Sequence, residues 1–173
     1  GKGCGGALEC EPGEARGVST MRVRYRFNLP NGVRETFDLF FESRDFRLLN
    51  PVPRPLPYWT ELGFNRCENC PLPAATHAHC PAAAQLVPIV EKIETMVSYD
   101  EIRIDVLTAE RSITQTTTAQ QALASLLGLI LSTSGCPRTA FLRPMARFHL
   151  PLANELETLY RSVTMHLLYQ HLR

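Results

Sequence analysis

Alternation of apolar and charged residues is the first pattern along the chain. In Met21–Phe27, Val23, Tyr25 and Phe27 alternate with Arg22, Arg24 and Arg26, the period of two of a half-buried strand. Pro30-Asn31-Gly32 follows, and Asn-Gly supplies the positive φ angles that a tight hairpin needs. Residues 33–41 read as the second strand. Val33, Glu35, Phe37, Leu39 and Phe41 share one face, with Phe37, Leu39 and Phe41 directed to the core, and Arg34, Thr36, Asp38 and Phe40 share the other. Helical spacing then takes over from Ala82 to Val97, with Leu86, Val90, Ile93 and Val97 on one face. Pro88 sits early, where its missing N–H costs less than in mid-helix. Asp100 to Leu107 alternates again with Ile102, Ile104 and Val106 inward, and Ser112 to Thr118 makes a fourth strand. Thr118 is placed to cap a helix running to about Ser132, apolar nearly all round and therefore expected to be the central buried one. Ser134-Gly135 ends it. A last amphipathic helix spans about Ala153 to His171, with Leu156, Leu159, Val163 and Leu167 as its stripe.

Hairpins separated by helices predict an α+β fold: an antiparallel sheet of about four strands, built from two hairpins and covered by about three helices. Residues 1–19, rich in Gly and Glu, read as a flexible leader, and 20–173 as a single domain. Between the first hairpin and the first helix lies a long connection. Its prolines at 51, 53, 55 and 57 forbid helix and favour an extended, stiff connector, or alternatively a ligand for a proline-binding module. Trp59, Leu62 and Phe64 are expected to anchor the chain where that segment ends.

Charge and length narrow the function classes. A chain of 173 residues is long enough for a real core. A formal net charge of +1 with no basic block gives nucleic-acid binding little electrostatic support. No apolar run reaches the ~18 residues of a membrane helix, and Gly1–Gly6 has no signal-peptide core. The expected location is therefore a reducing cytoplasm, where clustered cysteines point to metal or redox chemistry more often than to structural disulfides.

That expectation matters because four of the six cysteines sit in distinctive settings. Cys67-Glu68-Asn69-Cys70 is a C-x-x-C pair; Cys80 follows ten residues later, behind His77 and His79; and Cys136 follows the central helix. Cys70, Cys80 and Cys136 each precede a proline. Zinc needs about four soft or borderline ligands in a tetrahedron, and C-x-x-C supplies two from one turn. The leading expectation is a metal-binding domain with Cys67, Cys70, Cys80 and Cys136 as ligands, His77 in reserve, and structural zinc as the metal. An iron–sulfur cluster is the second candidate, since Cys-Pro suits such sites, although C-x2-C-x9-C matches neither common ferredoxin run nor the usual zinc ribbon.

Two other classes compete. One is a cysteine-dependent enzyme: a thiol oxidoreductase using Cys67 and Cys70, or a nucleophile at Cys136 with His149 as base. The plainer reading of His149 is a hydrogen-bonded interface histidine. The other class is a protein-interaction module whose cysteines are incidental, with the Pro51–Pro57 segment or a sheet edge as its contact surface. Arg138, Arg143, Arg147 and Arg161 either line an anion pocket or pair with Glu155 and Glu157.

Two segments together resemble a family of small bacterial proteins of unknown function. One is Cys67-Glu68-Asn69-Cys70-Pro71-Leu72 through His79-Cys80-Pro81-Ala82. The other is Thr133-Ser134-Gly135-Cys136-Pro137 with Pro144-Met145-Ala146-Arg147-Phe148-His149-Leu150-Pro151. The resemblance spans roughly residues 20–170 and implies no activity. It implies that the two cysteine segments belong together, as one joined site would require.

Overall fold

The computed structural model describes residues 19–93 and 96–172. The predicted leader, with Cys4 and Cys10, lies outside them apart from Ser19. The chain runs β1 (Thr20–Asn28), β2 (Arg34–Glu42), α1 (Pro81–Ile93), β3 (Glu101–Leu107), β4 (Ser112–Thr118), α2 (Ala119–Thr133), α3 (Arg143–Arg147) and α4 (Glu155–His171). The strands form one antiparallel sheet in the order β2-β1-β3-β4. Both expected hairpins are present, and the α+β class holds. The hairpins join through β1 and β3, where Tyr25 faces Val106 and Phe27 faces Ile104.

The period-two pattern explains why the sheet has one apolar face. Val23, Tyr25 and Phe27 of β1, Phe37, Leu39 and Phe41 of β2, and Ile102, Ile104 and Val106 of β3 are all buried. Helix α2 covers them with Ala122, Leu126, Leu129 and Ile130, and α1 adds Ile89. The opposite face is polar. There Arg24 grips Asp38 through two hydrogen bonds of 2.7 and 3.0 Å, a partly exposed pair worth ~1 kcal/mol or less.

The first turn is built differently from the expected two-residue hairpin. Gly32 N–H donates to Leu29 O at 3.0 Å, so Pro30 takes the position its fixed φ favours in a type I turn. Within this turn only Gly32 has a positive φ, +83°, and Asn31 instead accepts from Val33 N–H.

The helices differ more from their expected faces. Helix α1 is described over Pro81–Ile93, and Val97 lies outside it. Leu86 and Ile93 pack on the core as expected, but Val90 and Val97 are exposed, and Ala84, Val87 and Ile89 are the buried positions. Helix α2 is capped by Thr118, which accepts from Gln121 N–H, and ends ahead of Gly135 at φ +89°. It is not buried all round, because Gln120, Gln121, Ala124 and Gly128 face solvent. Helix α4 departs furthest: none of its residues is buried.

The outer edge of β2 is covered. Asn50 accepts from Phe40 N–H at 2.8 Å and donates to Asp38 O at 2.6 Å. Leu49 N–H reaches Phe40 O and Lys92 Nζ reaches Thr36 O, each at 2.7 Å. These bonds engage backbone groups along one of the two sheet edges.

Phe27→Ala should lower unfolding free energy by about 3–5 kcal/mol through the cavity it leaves. Thr118→Ala should cost about 1 kcal/mol as a lost cap, and Val90→Ala should stay within about 0.5 kcal/mol. Urea denaturation of the three variants checks this ranking.

Candidate functional site

The cysteine loop is organised by hydrogen bonds. Cys70 N–H closes a turn onto Cys67 O at 3.0 Å. The Arg66 guanidinium donates to Cys70 O at 3.1 Å and to Leu72 O at 2.8 Å, so a side-chain cation holds the strand of carbonyls that a metal was expected to order. His77 is exposed and pairs with its neighbour Thr76. His79 bonds Thr60 through Nδ1 at 2.8 Å. The buried Thr60 hydroxyl already donates to Pro57 O at 2.7 Å, so the imidazole is the donor in that pair. Leu62 N–H to Ala78 O and Cys80 N–H to Thr60 O complete the clasp.

These bonds draw the loop together without converging its thiols. Among the described residues, no group of three or more His, Cys, Asp or Glu side chains is placed to hold a metal ion. The expected metal site of Cys67, Cys70, Cys80 and Cys136 with His77, for zinc or an iron–sulfur cluster, is thereby overturned. Cys67 is exposed on the loop, Cys80 immediately precedes α1, and Cys136 lies in the turn after α2.

The oxidoreductase expectation fails as well. The four described cysteines are free thiols, and the C-x-x-C segment is a surface turn ahead of a loop, whereas a reactive pair opens a helix. Nor is Cys136 paired with His149. Its backbone N–H turns to Ser134 Oγ, while His149 is bound elsewhere.

His149 belongs to a partly buried polar chain that links three segments. Tyr25 of β1 lies fully buried, its hydroxyl 3.0 Å from Ser125 Oγ of α2 and hydrogen-bonded to His149 Nε2. Ser125 Oγ also accepts from Leu152 N–H at 3.1 Å, which helps hold Leu152 in its left-handed conformation at φ +58°. Burial raises the phenol far above its usual range, so Tyr25 remains a neutral donor. Burial, with the nearby Arg161 charge adding to it, pulls His149 down to about 4. A neutral imidazole accepts from the phenol, and the phenol accepts from Ser125. The plainer reading of His149 is the correct one: this chain fastens the 148–152 segment to the sheet and α2. Two of the four arginines, Arg147 and Arg161, are likewise structural. Arg161 donates to Met145 O at 3.0 Å and Phe148 O at 2.6 Å, and Arg147 to Ser43 O.

Several large apolar side chains stand exposed on α4. Asn154 and Glu157 form a capping box, with both bonds at 2.8 Å, so Glu157 is used at the helix start and not for an arginine. Arg161, Ser162 and Met165 are half-buried and turn inward. The stripe expected to face the core points the other way: Leu156 is 74% exposed, Leu159 57%, Val163 48% and Leu167 61%. Tyr160 joins it, and Phe141 and Phe148 are exposed on the preceding segment. The sequence shows the stripe but not its direction, which Arg161 sets by reaching the carbonyls at the end of α3.

A family model described as Domain of unknown function (DUF6901) matches residues 23–173. The chain belongs to this family. The expected resemblance to an uncharacterised family therefore holds. No curated protein and no solved structure matches the chain. Among the described residues of this DUF6901 domain, no helix is long and apolar enough to cross a membrane.

Two results are expected here. First, Cys67→Ser and Cys136→Ser should each change urea stability by less than about 0.5 kcal/mol, with or without a chelator. Second, His149 is neutral when folded and takes a proton when unfolded below its ordinary value near 6.5. The stability it contributes is complete above that pH and is lost as pH falls through about 4. The advantage of wild type over His149→Gln should therefore shrink by on the order of 2–3 kcal/mol between pH 7 and pH 4.

Proposed function

We propose that this DUF6901 domain is a protein-interaction module that presents α4 as its contact surface. The observation carrying this reading is the outward direction of the Leu156, Leu159, Val163 and Leu167 stripe. An amphipathic helix normally lays its apolar stripe on the core, and a contiguous apolar patch kept in water marks a binding surface. Helix-in-groove recognition uses anchors at i, i+3, i+4 and i+7, the spacing of Leu156, Leu159, Tyr160 and Val163.

The helix also has the local signals of a deliberate element. A full capping box starts it, and Glu155 and Glu157 complement the positive end of its dipole. Elsewhere, the polar chain of Tyr25, Ser125 and His149 is engaged internally, and the depression between β2 and α1, about 160 Å³, is lined by Asn50 and Lys92, which secure the sheet edge.

Stability measurements separate an interaction surface from a misplaced core. Leu159→Ser combined with Val163→Ser should leave the dilute protein's unfolding free energy within about 0.5 kcal/mol and reduce binding of a fluorescent apolar dye. A loss of about 3 kcal/mol or more, the range of core truncation, would show that the stripe supports the fold, and the reading would fail.

A further inference from the structure

We propose that the partner of α4 is a second copy of this chain, paired through α4 antiparallel about a two-fold axis at Val163. This rests on the reading of α4 as a contact surface and names its occupant.

The central turns of the stripe are symmetric about Val163, with Leu159 and Leu167 four residues to either side. With Val163 meeting Val163 across the axis, Leu159 of one copy meets Leu167 of the other, on both sides. A two-fold interface requires that self-complementarity, since one patch must serve as both halves. Charge sets the direction. Glu155 and Glu157 occupy the first turn of α4, and His166 and His171 lie in its C-terminal half. Antiparallel pairing brings Glu155 of one copy opposite His171 of the other. Parallel pairing would stack acid on acid at one end and imidazole on imidazole at the other. The helix dipoles favour the same arrangement.

Shape agrees with charge. A shallow open depression at the start of α4 is lined by Asn154, Glu155, Leu156 and Leu159. In the antiparallel register this hollow receives the last turns of the other copy's α4, including Leu167 and Leu172, both well exposed in the single chain. A 17-residue helix is about 25 Å long, so one helix pair makes an interface at the small end of specific association, with a dissociation constant in the region of ~1–100 µM.

The test is sedimentation equilibrium of the full chain from low to high micromolar concentration. A monomer–dimer equilibrium is expected, weakened ~100-fold or more by Val163→Glu, which sets two carboxylates against each other at the axis. Val163→Lys should be monomeric alone too, and mixing it with Val163→Glu should restore the dimer, which shows that both variants fold. A photo-crosslinking amino acid at position 167 should join to residues 156–160 of the other copy. A monomer throughout, a dimer indifferent to Val163→Glu, or crosslinks joining 167 to 167 would each overturn the proposal. A monomeric wild type whose stripe variants keep full stability and lose dye binding sinks only the second copy as occupant. Destabilisation of the dilute monomer by those variants sinks the interaction reading itself.

Discussion

The antiparallel pairing of β1 with β3 is the contact on which the molecule depends. Each hairpin is local, joined by a short turn, and a lone hairpin is marginal in water. The β1–β3 ladder crosses the long connection that holds the proline segment, the cysteine loop and α1. Only when it forms do Val23, Tyr25 and Phe27 share a surface with Ile102, Ile104 and Val106. That shared surface gives α2 something to cover. A slip of one residue in this register would turn one strand's apolar set toward water.

From that pairing the remaining architecture follows in layers. Helix α2 lies on the sheet, and its C-terminal turn is held by buried hydroxyls: Thr133 Oγ donates to Leu129 O at 2.7 Å, and Ser132 Oγ to Gly128 O at 2.8 Å. Thr133 O in turn accepts from Leu48 N–H, tying the segment after β2 to the helix end. The Tyr25, Ser125 and His149 chain then attaches the C-terminal segments to the same layer. Polar groups at these depths are stabilising because each finds a partner; losing one would leave the other buried and unpaired, at about 1–3 kcal/mol.

The fold was legible because its strands alternate cleanly and its caps are chemically distinct. Val23, Tyr25, Phe27, Phe37, Leu39 and Phe41 could be assigned inward from spacing alone, as could Thr118 as a cap and Gly135 as a terminator. The helical faces were less legible. Leu156, Leu159, Val163 and Leu167 define a stripe, but which side of a helix meets the body depends on distant groups such as the Met145 and Phe148 carbonyls that hold Arg161. The site was misread for a related reason. Cysteine spacing shows which thiols are near in sequence, whereas convergence in space is decided by what else organises the loop. Arg66, Thr60 and His79 turned out to do that. Tyr25 and His149 stand 124 residues apart, and nothing local in either segment announces their hydrogen bond.

The anchoring of α4 is uneven along its length. Its N-terminal turns are fixed by the capping box and by Arg161, and Met165 is the last half-buried side chain of the helix, whereas the side chains from His166 to Leu172 are all exposed. Its amide protons should exchange with solvent in a gradient, slowest near Arg161 and fastest toward His171, because fraying of exposed terminal turns costs far less than opening the sheet. Solvent thus reaches this backbone from one end of the helix, well before it reaches the four-stranded sheet.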